Sequence, residues 1–232
     1  MILPDAGPIA QISQERRLPA LALILEAQNA DPTVTPRPTM SRVRLGWGFR
    51  DPTLTVLLES SAPAVVEETA WADGAVPLRI TAYTAPADLP DELIVSVRCI
   101  VRVGDRVVVC TNRDGQSHPW PGGRREDGET FVDTACREVR EETGWIVERR
   151  SVRPLGWLHF EHLTPQPVDH PWPHPDFLNL VVVANASERV GGIDGGWTDT
   201  EGFELSSRTV TIEEALVCGD ALSRAFLGLL VP

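Results

Sequence analysis

Three glutamates crowd one short segment of this 232-residue chain: Glu138, Glu141 and Glu142 stand at i, i+3 and i+4. On a helix all three project from a single stripe. Like charges at that spacing destabilise an isolated helix by about 0.2–0.5 kcal/mol per pair. They also sit toward the end of the helix where its dipole disfavours negative charge. Something must offset this repulsion. One solution is a solvated acidic face with Arg137, Arg140 and Arg149 as partial counter-ions. The other is an oxygen cage for a hard divalent cation, Mg²⁺ or Mn²⁺, whose shell substrate phosphates complete.

The elements that must position these acids are legible nearby. Val95, Val97, Cys99, Val101 and Val103 alternate with Ser96, Arg98, Ile100 and Arg102, which predicts a long strand with one apolar face. The pair Gly104-Asp105 predicts a tight turn, with Arg106 to Thr111 returning as the second strand of a hairpin. Asn112 to Pro121 is rich in turn formers and leads into Gly122-Gly123. A helix is expected from about Thr130 to Thr143, with Thr130 as N-cap, Asp133 closing an acidic capping box and Gly144 as the left-handed terminator. Val132, Ala135, Cys136 and Val139 form a second stripe on that helix, suited to lie on a sheet.

From Gly123 to Trp145 the chain reads GRREDGETFVDTACREVREETGW. This resembles the signature of the Nudix hydrolase family, G-x5-E-x7-R-E-U-x-E-E-x-G-U, with U a bulky aliphatic residue. Gly123, Glu129, Arg137, Glu138, Glu141, Glu142 and Gly144 match the fixed positions, and Val139 matches the first U. Trp145 departs at the second U, being bulky and apolar but not aliphatic. Seven fixed positions at background frequencies of about 6% give a chance match on the order of one in a million. The resemblance implies a metal-dependent hydrolase that cleaves the pyrophosphate of a nucleoside diphosphate linked to another group. By that resemblance Glu138, Glu141 and Glu142, with the backbone carbonyl of Gly122, ligate Mg²⁺ or Mn²⁺. Arg137 pairs with Glu129 to fix the geometry of loop and helix, and Gly123 and Gly144 complete the structural frame. The general base is either a glutamate of the motif or a carboxylate beyond it. Glu161, Glu201 and Glu204 are the candidates, and Glu201 in Glu201-Gly-Phe-Glu204 is favoured because it precedes the last helix.

Substrate contacts are expected from Arg98, on the first strand, and from Arg113 and Trp120, in the loop approaching the glycine turn. Trp172 lies in a stretch from Thr164 to Pro175 that holds five prolines; such a stiff loop can wall a pocket and offer an indole to a base. Its Pro171-Trp-Pro-His-Pro175 is partly similar to a Pro-Trp-Pro-Phe-Pro motif of NAD-diphosphatases in the same family, so an NAD(H)-type dinucleotide pyrophosphatase is one alternative. A catalytically silent Nudix-fold binding or regulatory module is the other, although three crowded glutamates serve no purpose in a silent module. His159 and His162 fall on opposite faces of a strand and are expected to be ordinary polar or pocket residues, not metal ligands.

Composition bounds the rest. The 21 basic residues are all arginine, against 33 acids, for a net charge of −12. Without lysine there is no Schiff-base chemistry and no P-loop lysine. A chain this acidic repels a polyanionic backbone, so a small-molecule nucleotide is expected as partner and a nucleic-acid polymer is not. The four cysteines are scattered with no C-x-x-C pair, which suits a reducing cytoplasm. No apolar run is long enough for a membrane span and the N-terminus lacks a secretory pattern, so a cytoplasmic location is expected. Strands followed by helices without a βαβ repeat predict an α+β fold, an αβα sandwich with a mixed sheet over residues 91–232. Residues 1–90 are expected to be a small α+β accessory domain that packs or forms a homodimer. It should comprise a helix at Leu18–Gln28 and strands at Arg42–Arg50, Leu54–Glu59 and Val76–Tyr83, ending in a proline-rich linker at Thr84–Pro90. Further strands are expected at Ser151–His162 and Phe177–Ala184, and one helix from Ile212 to Leu229.

Overall fold

In the computed structural model, which describes residues 44–231 except 46–47, 73, 166–171 and 193–195, the chain opens on a tight antiparallel pair, β1 (Arg44–Leu45) and β2 (Gly48–Phe49). This pair replaces the single strand expected at Arg42–Arg50. The strand expected at Leu54–Glu59 is instead part of helix α1 (Pro52–Ser60). The reason is local: the Asp51 side chain accepts the Leu54 N–H at 2.9 Å, and Pro52 occupies the first turn, where its missing N–H costs nothing. Leu54, fully buried, and Leu58 are then one helical turn apart and pack on Tyr83, Trp157 and Leu178. The helix expected at Leu18–Gln28 lies outside the described residues.

Strand β3 (Val65–Trp71), which has no clear alternation, pairs antiparallel with β4 (Val76–Tyr83). After a 3₁₀ turn at Asp91–Leu93 come β5 (Ile94–Val103), β6 (Arg106–Asn112) and the short β7 (Ser117–His118). Helix α2 (Phe131–Thr143) has both arms of the capping box between Thr130 and Asp133, and Gly144 ends it at φ 73°. Strands β8 (Trp145–Val147), β9 (Arg153–His162), β10 (Asp176–Arg189) and β11 (Glu204–Val210) follow. The expected last helix is two, α3 (Ile212–Cys218) and α4 (Ala221–Leu227). Gly219-Asp220 breaks it, with Asp220 capping the Ser223 N–H at 2.7 Å. Among the described residues no helix is long and apolar enough to cross a membrane.

The main sheet runs β11-β6-β5-β10-β9-β4-β3, with β7 on β6 and β8 on β10. The β5–β10 pair is parallel and its neighbours are antiparallel. The result is a mixed sheet with helices packed on it, the α+β sandwich that the sequence predicts. β4 pairs with β9 from Leu78↔His162 to Tyr83↔Trp157, so the sheet continues across the expected linker. Residues 42–166 and 173–232 form one compact unit, and the boundary expected at residue 90 falls inside it. Of the residues outside this unit only Trp172 is described.

Helix α2 lies on this sheet through Ala135 and Val139, which join Val97, Cys99, Val101, Val108, Leu180 and Val182 in one buried cluster. Trp145, 2% exposed, belongs to the same cluster. An aromatic ring therefore fills the aliphatic position of the motif without leaving the core, and fully burying a side chain of that kind contributes roughly 1.5–3 kcal/mol.

Candidate active site

β5 and β6 pair only beside their turn, at Arg102↔Val107 and Val103↔Arg106, and the strands then splay apart. The segment leading to α2 is stitched to the opened edge of β5. Cys99 N donates to Pro121 O at 2.9 Å, Val97 N to Gly123 O at 3.0 Å and Arg125 N to Val95 O at 3.0 Å. Gly122 is at φ +146°, and a Cβ there would collide with the Val97 carbonyl. Only glycine fits so close to a neighbouring backbone. At Gly123 a Cβ would stand 2.6 Å from Glu138 Oε1, so a bare backbone gives the Glu138 carboxylate its place. The loop is thus part of the sheet, and it fixes one wall of the site.

Helix α2 supplies the other wall. Arg137 is the hub: Nε donates to Glu129 Oε1 at 2.7 Å and Nη2 to Glu129 Oε2 at 2.9 Å. Its Nη1 reaches Glu138 Oε1 at 2.8 Å and Glu141 Oε2 at 3.1 Å, and Nη2 also donates to Arg124 O at 2.8 Å. Glu129 further accepts from Thr134 Oγ1 and from Glu126 N. With Arg137 as the main cause, its carboxyl is held down to about 2. The expected Glu129–Arg137 pair is present, but Arg137 also ties down two of the three crowded glutamates.

Glu142 is different. Its Oε2 accepts the Gly122 N–H at 2.9 Å. Burial pushes its carboxyl up to about 8; Arg98 and the Gly122 N–H oppose the shift, while Glu138 and Glu204 add to it. Burial likewise raises Glu138, against Arg137 and with Glu141 and Glu201. Arg98 Nη1 donates to the carbonyl of Gly122. The donor set is therefore hard carboxylate oxygens beside one backbone carbonyl. Among the described residues no three His, Cys, Asp or Glu side chains are already arranged to hold an ion.

Beyond the motif, the structure separates the two acids of Glu201-Gly-Phe-Glu204. Glu201 is exposed, though its charge is felt at Glu138. Glu204, 8% exposed, opens β11 opposite Asn112. Its Oε1 lies 2.9 Å from His118 Nε2, while its Oε2 and His118 Nδ1 are buried with no hydrogen-bond partner among the described residues. Asp199, itself buried, shapes this corner by accepting from Glu201 N at 2.9 Å, Phe203 N at 2.6 Å and Glu204 N at 2.8 Å. Asp199 and His118 were not singled out from sequence. The turn Asp199-Thr-Glu-Gly202 is a signal for the former, since aspartate caps such turns; the latter is recruited by tertiary pairing alone.

The remaining candidates scatter. Arg113 lies over the exposed Phe203 ring at 4.5 Å and donates to Gly202 O at 3.2 Å, which places it at the mouth of the Glu204 corner. Trp120 is 9% exposed, with its ring 6.1 Å from Phe226, and so is built into the core behind the glycine turn. Glu161 belongs to a separate network in which Arg50 Nη2 and Arg79 Nη1 each donate to it at 2.8 Å. In that network Asp176 accepts from Arg50 and lies 2.6 Å from His159 Nε2; His159 is a paired core histidine. A cavity of about 240 Å³ beside it is lined by Arg50, Leu93 and Asp176 and by none of the motif's acids. Trp172 lies outside the compact unit, and half of its proline-rich loop is outside the described residues.

The family model described as NUDIX domain matches residues 92–226. Solved structures similar to the chain include a pyrophosphohydrolase of Bacillus subtilis in its E68A form, 17% identical over 62% of this chain and 77% of that one, with a TM-score of 0.43. The dihydroneopterin triphosphate pyrophosphohydrolase of E. coli is 19% identical over 59% and 93%, with a TM-score of 0.43. An ADP-ribose pyrophosphatase of Streptococcus suis is 15% identical over 59% and 91%, with a TM-score of 0.36. No curated protein sequence matches the chain.

Proposed function

The chain belongs to the Nudix domain family and is a Nudix hydrolase, and on that premise we propose that it hydrolyses, with Mg²⁺ or Mn²⁺, the pyrophosphate of a nucleoside diphosphate linked to another group. The observation that carries this reading is the gathering of Glu138, Glu141 and Glu142 at the Gly122-Gly123 turn, where Glu142 accepts the Gly122 N–H at 2.9 Å and Gly123 leaves room for Glu138. Burial beside Glu138 and Glu204 lifts the Glu142 carboxyl to about 8, and a carboxylate so costly to ionise is stabilised by a cation its neighbours can share. The residues present suit a hard divalent ion. They offer oxygen donors only, three carboxylates and one backbone carbonyl. Glu138, Glu141, Glu142 and the carbonyl of Gly122 would hold the ion, with Arg98 yielding that carbonyl. When bound, such a cation neutralises charge on the bridging phosphates and acidifies water.

The chain's own side chains do the rest. Arg137 keeps Glu138 and Glu141 facing the turn through its two Nη1 bonds. Arg98, once released from Gly122, is a guanidinium placed to pair with a phosphate oxygen. Glu204 is the proposed general base in preference to Glu201, since it is buried and has an oxygen available. His118 orients it at Oε1, which leaves Oε2 to take the proton of the attacking water. A phosphorus–oxygen bond then forms to that water, the anhydride bond breaks, and the leaving phosphate departs with its electron pair. Arg113 stacked on Phe203 offers a flat cationic surface to the nucleoside.

Release of nucleoside monophosphate or phosphate, followed over a panel of nucleotide substrates, tests the reading. Turnover with Mg²⁺ or Mn²⁺ that stops in chelator is expected. Turnover indifferent to chelator, or none on any substrate, would overturn it.

A further inference from the structure

Along the outer stripe of α2 runs a cavity of about 590 Å³, lined by Arg137, Arg140, Arg149, Glu141, Ile146 and Trp197 among others. Its volume lies within the roughly 300–1,000 Å³ of small-molecule sites. We infer that it is a second ligand site, one that binds a nucleoside monophosphate without a metal. Trp197 is fixed before any ligand arrives: Nε1 donates to Glu141 O at 3.0 Å, and the ring lies so close to Gly144 that a Cβ there would stand 2.7 Å from it. An indole held in this way presents an aromatic surface at little ordering cost. Ile146, 43% exposed, adds an apolar wall.

The charges select the ligand. Arg137 is committed to Glu129, Glu138 and Glu141, and Arg149 to Asp133 at 2.6 Å. Arg140 is exposed and donates to no group among the described residues. With Arg137 and Arg149 neutralised by these carboxylates, Arg140 is the guanidinium on this wall left to meet an anion. An uncommitted guanidinium matches a phosphate through paired N–H donors. A flat heteroaromatic ring that carries one phosphate satisfies indole and guanidinium together. The site does not rest on the hydrolysis reading, since it uses no ion and none of the proposed base chemistry.

Calorimetry of the full chain with AMP in chelator tests the site, because no cation then bridges the glutamates of the motif to a phosphate. Saturable binding at one site is expected, weaker by at least about tenfold in Arg140→Glu, with turnover of that variant in Mg²⁺ unchanged. Ile146→Glu, which sets an acid on the apolar wall, should weaken AMP to a similar extent and guards against a fold defect in the first variant. Adenosine, lacking the phosphate, should bind more weakly than AMP to the wild-type chain and equally to wild type and Arg140→Glu. Absence of AMP binding in chelator, or wild-type affinity in both folded variants, overturns the inference and leaves the hydrolase reading untouched.

Discussion

Replacing Glu129 by glutamine separates the frame of the site from its chemistry. In the native chain Glu129 and Arg137 form a two-pronged pair at 2.7 and 2.9 Å, with side-chain exposures of 16% and 22%. The pair holds the Glu129 carboxyl at about 2 instead of 4.5. At about 1.4 kcal/mol per pK unit, that shift sets a ceiling on the order of 3 kcal/mol. Partial access of water brings the expected loss to about 1–2 kcal/mol. Because the folded-state value is depressed, the contribution is fully present above about 4.5 and disappears as the pH falls toward about 2. Urea unfolding followed by tryptophan fluorescence, in chelator, should therefore show a gap between wild type and Glu129→Gln near neutral pH. The gap should narrow steadily as the solution is acidified through that window. Equal stability of the two chains at neutral pH, or a gap that stays constant on acidification, would refute the assignment of Arg137 as the hub.

Other outcomes follow from the same geometry. Glu204→Gln should lower kcat by roughly 10²–10⁴-fold, as loss of a general base does, while Glu201→Gln keeps most of it; the reverse order in steady-state assays would exchange their roles. Gly122→Ala forces a Cβ into the Val97 carbonyl, and the strain of about 1–3 kcal/mol should appear as a lower Tm together with lost turnover. Leu54→Ala should cost about 2–5 kcal/mol in denaturant titrations, because Leu54 is fully buried against Tyr83, Trp157 and Leu178.

What could be read from sequence was whatever depends on near neighbours. Helix α2 was legible to within a residue because its start and stop, Thr130 with Asp133 and then Gly144, are set within a few positions. The hairpin β5–β6 was legible because its pattern and its turn coincide. Residues 54–59 were misread because a run of Leu, Thr and Val suits a strand, and the cap at Asp51-Pro52 outweighs that preference. Strand β11 has mostly exposed side chains and no alternation, and its pairing with β6 alone defines it. The motif's acids were found by spacing, yet their unequal states were not. Glu129 is lowered by Arg137, and Glu142 is raised by burial, with Glu138 and the distant Glu204 adding to the shift. Glu204 and His118 are 86 positions apart, a distance over which no local pattern links them.

The glycine turn borrows its backbone partners from β5, a strand that runs through the buried centre of the sheet. Reactivity and cohesion therefore share one set of hydrogen bonds. On heating, the ability to turn over substrate should vanish together with far-ultraviolet ellipticity and not ahead of it. For this enzyme a simple activity reading serves as a thermometer of the whole fold.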